Sequence, residues 1–128
     1  MKITLDQNTI QSINIFQNLT GSTVVDCVQE EDDLYFIVAE GQYGLSVGKG
    51  GMKIKNAERV FNKNIKVYEY FPDVEKFVKS AIPEAQNINI GEKDIVIKVK
   101  PSDKPKVIGK GGKNIKIIGK IVERLFDK

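Results

Sequence analysis

The sequence predicts an α+β fold in two tandem small domains, each a three-stranded sheet packed with helices, the second lacking its last strand. Three observations predict it. The stretch Gly48-Lys49-Gly50-Gly51 recurs as Gly109-Lys110-Gly111-Gly112, each copy preceded by an aliphatic residue (Val47, Ile108) and followed at +3 by isoleucine (Ile54, Ile115). The apolar pattern around the loops repeats at a constant offset of 61 residues without gaps. Ile13 and Phe16 align with Val74 and Phe77; Leu34, Phe36 and Val38 with Ile95, Ile97 and Val99; Ala57 and Val60 with Ile118 and Ile121. Finally, 41% hydrophobic and 29% charged content is globular, and 128 residues hold one ordinary domain or two small ones. A repeat at that period means two copies of one unit, here residues 1–71 and 72–128.

Each element has its local reason. Asp6 is a good N-cap for a helix over 6–19, with Ile10, Ile13, Phe16 and Gln17 at helical spacing and Gly21 marking its end. Residues 23–30 and 34–40 read as strands by their β-branched and aromatic content, joined in a hairpin by the acidic turn Glu31-Asp32-Asp33. Residues 41–47 are a short, Gly-interrupted link with one weak helical turn. After the first glycine loop, Ile54, Ala57, Val60 and Phe61 mark an amphipathic helix, with Lys53, Lys55 and Arg59 off its apolar stripe. Asn62 and Asn64 stop it, and 65–70 alternate as a strand does.

Phe71-Pro72-Asp73 is a hinge too short to be a flexible linker, which predicts a rigid tandem. Asp73 caps a helix carrying Val74, Phe77, Val78 and Ile82, ended by Pro83. Residues 86–90 and 94–100 form a second hairpin around Gly91. A link with Pro101 and Pro105 leads to the second loop and a helix from Lys113 to Phe126, and Pro105 is expected to shorten the helical turn ahead of that loop. The strand at 65–70 would recur at 126–131, so the second copy is expected to be C-terminally incomplete.

Composition narrows the function. Histidine is absent, which removes the usual general base near neutral pH and the usual metal ligand. The single cysteine, Cys27, excludes a disulfide framework and a cysteine metal cluster, and its alternating strand context reads as a packed residue rather than a nucleophile. An enzyme is therefore disfavoured and no cofactor is expected. No run approaches the ~20 apolar residues that span a bilayer and no leader-like segment opens the chain, so a soluble, cytoplasmic protein is expected.

The net charge of +3 hides a pattern. Residues 1–46 carry net −6, 47–66 net +5, 67–97 net −3 and 98–128 net +7. Charge runs are usually solvated faces, but bases gathered at both glycine loops of an otherwise acidic chain favour a polyanion.

Glycine lets backbone approach a ligand and adopt positive φ, and a loop that opens a helix presents amides at the positive end of the dipole, which suits phosphate. A nucleotide-hydrolysing P-loop is excluded: Gly44 to Gly48 leaves three intervening residues instead of four, and Gly50 stands where a hydroxyl should bind Mg²⁺. A dinucleotide fingerprint fails because Gly48-x-Gly50 runs on to Lys53. Tyr35, Tyr43, Tyr68 and Tyr70 lack a ribonucleoprotein aromatic signature and read as packing.

The apolar-Gly-x-x-Gly-x-x-Ile signature between two helices resembles the KH domain, and a helix and hairpin ahead of the loop resemble its type II variant. Two such copies closely coupled resemble the NusA-like family of archaeal transcription factors. The resemblance implies single-stranded RNA as ligand, with the loops holding about four nucleotides of backbone. On that analogy Gly48, Lys49, Gly50, Gly51, Gly109, Lys110, Gly111 and Gly112 hold phosphate and sugar. Lys53, Lys55, Lys113 and Lys116 are candidate phosphate contacts, with a solvated face as the alternative. Val47, Ile54, Ile108 and Ile115 line an apolar groove for bases unless the core claims them. The implied function is transcription elongation or termination, as a monomer with RNA polymerase as a docking partner. A protein-interaction scaffold on polymerase or ribosome, or a KH protein of ribosome assembly or RNA processing, is the alternative.

Overall fold

The computed structural model of the chain describes residues 7–91 and 94–126. These fall into two compact units that part between Phe71 and Pro72. Among the described residues no helix is long and apolar enough to cross a membrane.

The first unit opens with α1 (Gln7–Thr20), which buries Ile13, Phe16 and Thr20. Asp6, the expected N-cap, lies outside the described residues. The helix end is closed by one side chain and one backbone amide: Thr20 Oγ1 donates to the Phe16 carbonyl at 2.8 Å, and Gly21, at φ 76°, donates its amide to Gln17 O at 2.8 Å. Gln17 Oε1 then accepts from the amide of Val24, which aims the chain into the first strand.

Strands β1 (Val24–Glu30) and β2 (Asp33–Val38) pair antiparallel, with Glu30 opposite Asp33 across a turn in which Glu31 takes φ 55°. From β2 the chain runs through α2 (Tyr43–Val47), a 3-10 turn (Lys49–Gly51) and α3 (Met52–Phe61) to β3 (Asn64–Glu69). β3 lies parallel to β2, with Leu34 opposite Ile65 and Phe36 opposite Val67. A parallel neighbour needs a long crossover, and here the crossover is the helix–loop–helix that carries the glycines. Asn62, left-handed at φ 54°, ends α3, while the Glu58 carboxylate takes the amide of Ile65 as the new strand begins.

The core of this unit is built on the sheet. Ile13, Phe16, Val24, Cys27, Leu34, Phe36, Val38, Ala57, Ile65 and Val67 form one buried cluster, with Leu19, Ile54 and Phe61 packed against it. The Phe16 and Phe36 rings stack with centroids 4.0 Å apart. Tyr35, Ile37 and Tyr68, of opposite strand parity, are buried as well.

The second unit repeats the order. Asp73 caps α4 (Val74–Ala81), its Oδ1 accepting from the Glu75 amide at 3.0 Å. At the other end, Lys79 Nζ donates to the carbonyls of Pro83 and Ala85 at 2.9 and 2.6 Å, a cation where the helix dipole is negative. Strands β4 (Asn87–Ile90) and β5 (Ile95–Lys98) pair antiparallel, the turn closed by the Gly91 amide on Asp94 O. A 3-10 turn (Pro101–Asp103), α5 (Lys104–Ile108), a second 3-10 turn (Lys110–Gly112) and α6 (Lys113–Phe126) follow.

One expectation is overturned. Pro105 does not shorten the helix before the second loop, since α5 and α2 both run for five residues. The proline sits in the first turn of α5, where its missing amide had no intrahelical partner to lose.

The second core is carried by helices: Phe77, Val78 and Ile82 from α4 and its cap, Val107 from α5, and Ile117, Ile118, Ile121, Val122 and Leu125 from α6 are buried. Every residue of β4 and β5 is exposed or only half-buried. Among the described residues this sheet has two strands, where the first has three.

Candidate nucleic-acid interface

The two glycine loops are conformational duplicates. Gly48 has φ 78° and ψ 171°, and Gly109 has φ 78° and ψ 170°. Gly50 has φ 64° and ψ 20°, and Gly111 has φ 64° and ψ 21°. Their closure repeats too. The Gly48 amide donates to Gly44 O and the Gly51 amide to Gly48 O, at 3.0 and 3.1 Å; the Gly109 amide donates to Pro105 O and the Gly112 amide to Gly109 O, at the same distances.

Within each loop the glycines are needed for different reasons. The first occupies a backbone region that is essentially glycine-only, and it lies against the start of the next helix. A Cβ on Gly48 would come within 2.6 Å of Lys53 Cγ and 3.1 Å of Lys53 N; one on Gly109 would come within 2.9 Å of Asn114 N. At Gly50 and Gly111 the same atom would meet nothing within 4 Å. Those two need only the positive φ, and they face open space. The backbone a ligand could approach is therefore the middle of each loop.

Lys49 is exposed on the first turn, and Lys110 holds the same backbone position in the second. Lys55 and Lys116, one repeat apart, are both exposed on the helices that follow, and Lys113 is exposed at the first position of α6. The loops and these cations thus share one end of each helix pair.

Lys53, one of the candidate phosphate contacts, has an internal partner. Its stem packs beside Gly48 and its ammonium donates to the Thr20 carbonyl at 2.8 Å, tying α3 to the end of α1. The residue one repeat later is Asn114, which sequence reasoning passed over. Its side chain packs beside Gly109 and its Nδ2 donates to Val107 O at 2.8 Å. The signal was available in the offset of 61, because both positions hold a hydrogen-bond donor directly opposite the first glycine.

The groove candidates divide. Ile54 is claimed by the first core and Val47 is half-buried, whereas Ile108 and Ile115 remain 44% and 38% exposed. Of the four tyrosines read as packing, Tyr35 and Tyr68 are buried and Tyr70 half-buried, but Tyr43 is 45% exposed on α2. Burial, with the Tyr35 and Tyr43 phenols nearby, pushes the Tyr68 hydroxyl well above its ordinary pKa. Ahead of the second loop, Lys106 pairs with Glu84 at 3.0 Å, and that hydrogen bond and charge raise the lysine pKa.

Comparison with known proteins agrees with this geometry. A family model described as KH domain matches residues 73–128. A probable transcription termination protein NusA of Methanococcus vannielii is 34% identical over 121 residues, covering 90% of this chain and 70% of the relative. Its namesake in Thermoplasma acidophilum is 35% identical over 132 residues, covering 98% and 92%. Among solved structures, APE1850 superposes with a TM-score of 0.83 at 37% identity, over 96% of this chain and 95% of that one. On the strength of these relatives and of the KH match, the chain belongs to the family of archaeal NusA-like KH proteins.

Proposed function

We propose that this chain is a single-stranded RNA-binding factor of transcription termination or elongation, built of two KH domains over residues 1–71 and 72–128. It acts in the cytoplasm as a monomer, with RNA polymerase as its docking partner. The RNA backbone is held at Gly48–Gly51 and Gly109–Gly112, with Lys49, Lys55, Lys110, Lys113 and Lys116 neutralising phosphates. The role is one of binding, and no bond is made or broken.

The observation that carries this reading is the duplication of loop geometry. Two loops of the same dihedral angles, each opening a helix and each flanked by lysines, are a repeated anion-binding device. The names of the relatives support the assignment to transcription, and the KH match supports RNA as the ligand.

The test is a titration of labelled single-stranded RNA, beside thermal melting, with K49D/G50D, K110D/G111D and the combined quadruple variant. Each pair puts two carboxylates where the phosphates sit. Gly50 and Gly111 have left-handed angles that aspartate tolerates better than most residues, so each pair should cost stability of only about 1 kcal/mol. The expected result is weaker binding by each single-copy variant and none by the quadruple. Undiminished binding by a folded quadruple variant would remove the loops from the mechanism and put the scaffold reading first.

A further inference from the structure

Because the two loops share one backbone conformation, any difference between them as ligand sites must come from the side chains around them. At the constant offset, three loop-flanking positions change chemistry together: Tyr43, Leu45 and Met52 in the first unit are Lys104, Lys106 and Lys113 in the second. The first three are 45%, 47% and 70% exposed. Tyr43 and Leu45 lie on the helix before the loop, partly exposed, with the Tyr43 phenol near Tyr68, and Met52 opens the helix after it. Such side chains are poor at holding charge and good at covering an apolar ligand face. In the second unit Lys104, Lys106 and Lys113 put positive charge on both sides of the loop, with Lys106 paired to Glu84. That unit has apolar surface too, at Ile108 and Ile115, but it is aliphatic, and the α5 position corresponding to Tyr43 holds no ring on which a base could stack.

We infer that the two loops divide the ligand between them, the first taking nucleotide bases through Tyr43 and Met52, the second holding the sugar-phosphate backbone with little regard to the bases. The inference rests on the RNA-binding reading above and goes beyond it. Stacking requires the base to be present and is weakly sensitive to salt, whereas phosphate neutralisation requires only the backbone and weakens steeply as salt rises.

The test uses the full chain with one loop disabled at a time and two probes of equal length, an oligouridylate and its counterpart carrying abasic sites. With K110D/G111D, leaving the first loop, removing the bases should weaken binding at least tenfold. With K49D/G50D, leaving the second, the loss should stay below about threefold and the log–log salt slope should be the steeper of the two. If either single-loop variant binds too weakly to titrate, Y43K/M52K in the otherwise intact chain decides. It should shrink the penalty for abasic sites and steepen the salt slope by roughly 0.7 to 1.4, from one or two added phosphate contacts at ~0.7 each. Equal penalties on the two loops, or an unchanged penalty in Y43K/M52K, would overturn the division while leaving RNA binding intact. Failure of the wild-type chain to bind either probe would instead overturn the RNA reading itself.

Discussion

The two units carry the same loop on different foundations. In the first, the loop interrupts a crossover between parallel strands, and the core it rests on is a three-stranded sheet packed by α1 and α3. In the second, β4 and β5 are short and half-exposed, and the loop rests on a helix pair whose longer member, α6, buries five residues. The repeat therefore preserves backbone angles at the site to within two degrees while the scaffold beneath changes. Loop geometry of this kind is local: a five-residue helix before it, the start of a helix after it, a steric contact at the first glycine and two amide–carbonyl closures accompany it in both copies.

The comparison breaks first at the glycines. Gly109→Ala should be the most costly single change, about 3 kcal/mol, because a glycine-only conformation and a backbone nitrogen 2.9 Å away both oppose the methyl. Gly48→Ala should cost nearly as much, about 2 to 3 kcal/mol, since Lys53 Cγ can swing aside but Lys53 N stands 3.1 Å from the added methyl. Gly111→Ala, with open space around it, should cost only about 1 kcal/mol. Thermal or urea unfolding of the three variants checks the order, and equal losses at Gly109 and Gly111 would show that close approach plays no part.

Sheet completeness gives the next test. β5 has a single hydrogen-bonded neighbour among the described residues, whereas β2 has two. Amide hydrogen exchange should run faster over 86–100 than over 23–40, by tenfold or more if the difference in local opening is about 1.4 kcal/mol. The reverse order would mean that the edge of β5 is covered.

Salt sharpens the site itself. If the loops and their lysines contact ~4 phosphates, the log–log slope of affinity on salt for the wild-type chain should be roughly −3, and a flat response would end the phosphate model.

The smallest effect separates two lysines two residues apart. Lys53→Met keeps the stem beside Gly48 and loses only the bond to Thr20 O, so it should lower stability by about 1 kcal/mol and leave RNA affinity unchanged. Lys55→Met, at an exposed position, should do the opposite. Melting and titration of the same two proteins decide it.

Much of this is legible in the sequence. The helix and strand periods located α1, α3, α4, α6 and the strands to within a few residues, the helices by a buried stripe and stops at Gly21, Asn62 and Pro83. By contrast, α5 and the 3-10 turns lay in what read as links. The offset of 61 paired the copies residue by residue. What was not legible is tertiary. Lys53 lies off the apolar stripe of its helix and so looked free, but a carbonyl at the end of a distant helix claims it. Tyr43 read as packing for want of a ribonucleoprotein aromatic signature, yet it is 45% exposed on a five-residue helix. Pro105 looked like a breaker because the sequence does not say which turn of a helix a proline will enter.

The crossover that holds the first loop has a thermodynamic consequence. A ligand that seats on Gly48–Gly51 and binds only the folded form would, by linkage, add about 2.7 kcal/mol of stability at a hundredfold excess over its Kd. In the first unit that gain reaches the sheet, because the loop is the tether through which β3 is delivered to β2. In the second it would act first on α5 and α6, with β4 reached only through α4. Occupancy of one loop would thus be read out as slowed strand opening and occupancy of the other as slowed helix fraying, so a single exchange experiment on the bound chain would report which site is filled.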